Sequence, residues 1–88
     1  MERLVVLYGD NCGYCKKAKM LIKRALEKEN KFLSLDIRFV HEDSAEGQGF
    51  MHKLTPAFYC NRTLLFEGNP SMDIIIDILD RCFENGRL

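Results

Sequence analysis

Eighty-eight residues suffice for one domain and leave no room for a second hydrophobic core. With 47% hydrophobic and 30% charged residues, the composition excludes a disordered chain. A formal net charge of zero gives no general attraction to nucleic acid or to an anionic membrane, and no apolar run approaches the roughly 18 residues of a membrane helix.

In chain order, Leu4-Val5-Val6-Leu7-Tyr8 is apolar without alternation, the pattern of a central strand covered on both faces. Gly9-Asp10-Asn11 supplies a turn. From Tyr14 to about Glu29, the residues Tyr14, Ala18, Leu21, Ile22 and Ala25 recur at helical spacing, with Lys16, Lys23, Arg24 and Glu27 on the opposite side. Residues 32–40 read as a second strand, with Leu33, Leu35, Ile37 and Phe39 alternating. A strand, a helix and a strand in this order imply a right-handed βαβ unit with parallel strands. Residues 41–54 hold both histidines, His41 and His52, and predict at most a short helix over 44–54. After Thr55-Pro56, Ala57 to Cys60 and Thr63 to Phe66 form a hairpin turned at Asn61-Arg62. Gly68-Asn69-Pro70 breaks the chain, and Ser71 caps a last helix whose Ile75, Ile78, Leu79 and Cys82 share one face. The fold class is α/β, a mixed four-stranded sheet flanked by helices in a single domain over residues 1–88.

The chemistry is concentrated at Cys12-Gly13-Tyr14-Cys15, where the first strand meets the first helix. Free N–H groups and the positive dipole end of a helix favour thiolate over thiol. The C-x-x-C spacing lets the second sulfur expel whatever is bound to the first. These residues read as a thiol–disulfide oxidoreductase needing no cofactor, since the dithiol carries the electrons itself. Lys16 and Lys19 stand one turn after Cys12 and Cys15 and are candidates for stabilising the thiolate, or simply belong to a solvated lysine-rich face.

The other reading of the pair is half a zinc site, with His41, His52, Cys60 or Cys82 completing it. Cys60 and Cys82 lie far apart in sequence, in a strand and a helix, and read as small hydrophobes in the core. Met1-Glu2-Arg3 runs straight into the first strand, so no secretory leader is expected and a cytoplasmic setting follows.

The element order, C-x-x-C opening the first helix and a proline opening the third strand resemble the thioredoxin fold, and most of all its glutaredoxin-like small members. The resemblance spans residues 3–84 and rests on Cys12-Gly13-Tyr14-Cys15, Thr55-Pro56, and Gly68 before the helix capped at Ser71. It implies Cys12 as the exposed nucleophile, Cys15 as the partly buried resolving thiol and Pro56 as a cis proline facing them. Substrate would pair with the backbone at Thr55 and pass over Gly13 and Tyr14.

The resemblance implies as partners a disulfide-bearing protein or small thiol, and a thioredoxin-reductase-like enzyme or glutathione as electron donor. No nucleic acid, membrane or metal is expected, and the chain is expected to act as a monomer. Departures are specific. Gly13 stands where dithiol glutaredoxins have proline, Gly9 where they have a lysine for a glutathione carboxylate, and their Gly-Gly-x-Asp segment is missing. Val6 occupies the position of the thioredoxin buried acid. Cys-Gly-Tyr-Cys with Thr55-Pro56-Ala57 is similar to the catalytic core of bacterial disulfide isomerases of the DsbC kind. The alternative function is a module binding zinc or an iron–sulfur cluster; a scaffold without redox activity is disfavoured by the intact cysteine pair.

Overall fold

The structure, a computed structural model, describes residues 2–85. Strand β1 (Arg3–Tyr8) leads through a four-residue turn into helix α1 (Gly13–Lys28). Strand β2 (Asp36–His41) then pairs parallel to β1, from Arg3 opposite Asp36 to Tyr8 opposite His41. Strands β3 (Ala57–Cys60) and β4 (Thr63–Glu67) form the hairpin, and helix α2 (Met72–Asn85) closes the described chain. Both hairpin contacts are antiparallel, and the sheet runs β2-β1-β3-β4. Among the described residues no helix is long and apolar enough to cross a membrane.

The unbroken apolar run of β1 reflects its central place. Leu4 and Val6 face α1 and α2, burying against Ala18, Ile22, Phe58, Ile75 and Leu79. Val5 and Leu7 face the other way, against Val40, Phe50, Ala57 and Tyr59. Both helices pack on the first face; the second is covered by the segment between β2 and β3, through Phe50 set 4.8 Å from the Tyr59 ring. Such a cover needs no helix because it contributes few apolar side chains and satisfies its backbone locally. The Ser44 hydroxyl donates to the His41 carbonyl (2.7 Å) and accepts the Gly47 N–H (3.0 Å). The Tyr59 hydroxyl donates to the Met51 carbonyl.

Two expectations change. Over 44–54 only a single 3₁₀ turn forms, Gly47–Gly49. Two glycines weaken a helix there, and Gly47 is folded so tightly onto the end of β2 that a β-carbon would lie 2.1 Å from the His41 carbonyl oxygen. Strand β2 also begins at Asp36, because residues Asn30–Ser34 form a 3₁₀ turn. Phe32 and Leu35 are buried while Leu33 is 63% exposed, the three-residue repeat of that helix and not the alternation of a strand. Phe32 plugs the space beneath the helices, edge-on to Phe83 at 6.1 Å, and its burial contributes about 2–3 kcal/mol. Lys31 caps this cluster, its ammonium over both rings and 3.2 Å from Asp80.

The hairpin and last helix follow the sequence closely. Asn61 takes the left-handed conformation (φ 58°) that the turn demands. Arg62 donates to the Gly49 carbonyl at 2.8 Å and stacks on Phe50, which explains an arginine in a tight turn. Gly68 has φ 107°, and Ser71 accepts the Ile74 N–H at 3.2 Å as the cap of α2.

Cys60 and Cys82 are buried, as small apolar residues would be, but they are joined by a disulfide with Cα atoms 5.5 Å apart. Their separation of 22 residues hides the fact that α2 crosses the sheet with Cys82 beneath the end of β3. Cys60 lies opposite Leu4, at the start of β1, whereas Cys12 follows the end of β1. The staple therefore sits at the pole of the sheet away from the C-x-x-C.

Candidate active site

Parallel β1 and β2 end side by side, and beyond them the chain turns through Asn11 (φ 53°) into α1. Cys12 is the residue preceding the helix, with extended backbone, and its sulfur accepts the Cys15 N–H at 3.1 Å. Its carbonyl accepts the Lys16 N–H at 3.2 Å. Sulfur thus fills the role that a serine or aspartate oxygen usually has in capping a helix, which stabilises negative charge on it. Cys12 and Cys15 form a disulfide, Cα atoms 5.2 Å apart, and both are half-buried.

From the far side, Thr55-Pro56 approaches the pair. The peptide bond is cis, as the resemblance implies, and Pro56 is fully buried. The Thr55 hydroxyl donates to Cys12 Sγ at 3.6 Å, and the Thr55 carbonyl oxygen lies 3.7 Å from the same sulfur, placed to accept from a Cys12 thiol. One residue of this loop therefore serves both protonation states of Cys12. Thr55 and Pro56 are brought to the cysteines; Gly13 and Tyr14 lie exposed on the helix start, with open space around Gly13 and Tyr14 52% exposed.

Lys16 and Lys19 line a cleft of about 360 Å³ together with Cys12, Cys15, Tyr8 and Phe39. The Lys19 ammonium stands over the Phe39 ring at 5.6 Å, while Lys17 turns away to donate to Asn69 at 3.0 Å.

The histidines are more structured than a polar loop suggests. His41 accepts the Asp43 N–H on Nδ1 (3.1 Å), so its Nε2 carries the proton shared with Asp10 at 3.0 Å. That carboxylate holds His41 above its ordinary 6.5. His52 Nδ1 donates to the Phe50 carbonyl at 3.1 Å and Nε2 meets Glu42 Oε1 at 2.9 Å. The Glu42 hydrogen bond, then the Phe50 carbonyl, raise His52 above 6.5. The pair's contribution to folding is therefore complete below the unfolded histidine value and lost as pH rises through the elevated folded one.

Sequence reasoning missed the Glu42–His52 pair. Its members are ten residues apart in a segment without periodicity, and the glycine that admits Glu42, Gly9, comes from another part of the chain.

Of the residues considered for completing a zinc site, Cys60 and Cys82 are bonded to each other, and His41 and His52 are engaged by carboxylates. Among the described residues, the one close group of possible metal ligands is Asp10, His41 and Asp43, which includes neither Cys12 nor Cys15.

No protein-family model and no curated protein matches the sequence. Solved structures do match. The chain is similar to the periplasmic thioredoxin SoxS from Paracoccus pantotrophus in its reduced form, with 17% identity, 98% of this chain and 99% of that one covered, and a TM-score of 0.73. It is similar to the oxidised thioredoxin of Plasmodium falciparum (15% identity, 91% and 79% covered, TM-score 0.65). It also resembles thioredoxin f2 of Chlamydomonas reinhardtii (22% identity, 91% and 77% covered, TM-score 0.66). The chain has the thioredoxin fold, with a disulfide-bonded C-x-x-C opening its first helix.

Proposed function

We propose that this protein is a thiol–disulfide oxidoreductase that reduces or exchanges disulfides of proteins or small molecules through Cys12 and Cys15. The observation that carries the reading is the setting of Cys12 Sγ, which takes a helix-end N–H and the Thr55 hydroxyl. Both contacts stabilise sulfur as an anion, the form that attacks.

In the reducing direction, the Cys12 thiolate attacks one sulfur of the substrate. The substrate S–S bond breaks and the other sulfur leaves with the electron pair and takes a proton. Cys15 then loses its proton and attacks Cys12, so the mixed S–S bond breaks and the second substrate thiol departs. Two electrons and two protons have passed to substrate, leaving Cys12–Cys15 oxidised. Thr55 and Pro56 offer the backbone against which a substrate lies, and exposed Tyr14 and Leu54 supply apolar surface for a polypeptide.

No lysine stands at Gly9 to receive a glutathione carboxylate, and this favours a dithiol partner of the thioredoxin-reductase type as electron donor. The protein acts as a monomer. The buried Cys60–Cys82 bond supports work in a compartment where disulfides persist.

The test is insulin reduction coupled to thioredoxin reductase, set beside reduction of a glutathione mixed disulfide. The expected result is turnover of insulin and a glutathione rate at least about tenfold lower. Absence of insulin reduction contradicts the activity, and a reversed order of rates contradicts the donor.

A further inference from the structure

We propose that Glu42 and His52 are positioning residues for the reaction at Cys12: the imidazolium cancels the charge of a carboxylate lodged across Gly9 from Thr55, so that the thiolate forms beside a donor hydroxyl without an uncompensated anion nearby. This rests on Cys12 being the nucleophile and adds a part of the machinery that lies outside the C-x-x-C and the cis-proline peptide.

Glu42 follows β2 and continues its ladder, its N–H donating to the Tyr8 carbonyl at 2.9 Å. Its side chain crosses the end of β1 through the gap left by Gly9. A methyl group at Gly9 would lie 2.3 Å from Glu42 Oε2 and 3.4 Å from Thr55 Oγ1, so carboxylate and hydroxyl flank the same glycine. The Thr55 hydroxyl in turn reaches Cys12 Sγ at 3.6 Å. A bare carboxylate at this place would oppose a second negative charge on the sulfur, within the range over which charges are felt at physiological salt.

The proton inventory shows how that is avoided. The Phe50 carbonyl can only accept, so His52 Nδ1 carries a proton; Nε2 stands 2.9 Å from a carboxylate oxygen, and that contact needs a second proton between them. The pair is neutral as a whole, with His52 and Glu42 side chains only 16% and 32% exposed.

The other charged groups leave this balance to the pair. Glu67 of β4 approaches His52, but its Oε1 accepts the Lys53 and Leu54 N–H groups, both at 3.2 Å. Asp10 is matched by His41 at 3.0 Å, and Lys16 and Lys19 stand in the cleft on the α1 side. Lys53 lines the same cleft as Glu42 and His52, but among the described residues His52 is the cation paired with Glu42, and the same contact ties the loop carrying Thr55 to the end of β2.

A charge role and a mere tether predict different results. Alkylation of Cys12 in the reduced protein is followed against pH by tandem mass spectrometry, in wild type, His52→Gln, Glu42→Gln and the double variant, with urea unfolding as the check on folding. His52→Gln leaves the carboxylate bare and is expected to raise the Cys12 midpoint by about half a unit to one unit. The double variant removes both charges and is expected to return it to the wild-type value, although the tether is lost in both. A His52→Gln midpoint equal to wild type, or a double variant displaced as far as His52→Gln, overturns the proposal. Those outcomes leave a low wild-type midpoint intact. A wild-type midpoint in the ordinary cysteine range overturns the nucleophile assignment, and this role with it.

Discussion

Cys12→Ser protein will reduce insulin at least about a thousandfold more slowly than wild type, whereas Cys15→Ser will accumulate a mixed disulfide with its substrate. The difference follows from where the two sulfurs stand. Only Cys12 receives both the Cys15 N–H and the Thr55 hydroxyl, so in the proposed mechanism it is the sulfur that, once reduced, becomes the anion facing the cis-proline loop. A serine hydroxyl there cannot ionise near neutral pH and cannot form the mixed disulfide. With Cys15 replaced, the first exchange still runs, but no sulfur is at hand to expel the substrate, and the covalent complex persists until an outside thiol breaks it. Non-reducing gels and intact mass read both outcomes. Wild-type activity in both variants would contradict the mechanism.

The second large effect concerns stability. Removing the Cys60–Cys82 bond as the paired Cys60→Ala and Cys82→Ala variant will lower unfolding free energy by about 3 kcal/mol, the chain-entropy expectation for a loop of this length. The bond closes 22 residues, joining β3 to α2, whereas Cys12–Cys15 closes only three and constrains the unfolded chain less. In an 88-residue domain, that loss is a large share of a stability of about 5–10 kcal/mol. The urea midpoint should fall by about 2–3 M. Disulfide reduction should continue below the new midpoint, because the staple lies at the opposite pole from Cys12. A loss under about 1 kcal/mol would show that packing of α2 on the sheet holds this end together without the bond.

Much of this molecule is legible from its residues, for reasons that can be named. The run from Leu4 to Leu7 is buried on both faces, so its hydrophobicity is unbroken. The buried positions of α1 and α2 repeat at helical spacing because each helix has one face on the sheet. The C-x-x-C, Thr55-Pro56 and the Ser71 cap are local signals, and the structure places each as the pattern requires.

What escapes the sequence depends on distant parts of the chain. Phe32 suits a strand by propensity, but the cavity beneath α1 and α2, with Phe83 opposite, turns its segment into a 3₁₀ helix. Cys60 and Cys82 look apolar and independent until α2 is laid across β3. Glu42, His52 and Gly9 come from three segments and meet only when the ends of β1 and β2 and the loop before β3 are assembled. None of the three carries a local pattern that distinguishes it from a solvated loop residue.

The central claim is that the α1 N-terminus and Thr55 hold Cys12 as a thiolate, and the pH dependence of Cys12 alkylation in reduced wild-type protein tests it most directly. The expected midpoint lies at least one unit below the free-cysteine value of about 8.5, with Cys15 reacting only at higher pH. A Cys12 midpoint at or above about 8.5 would contradict it.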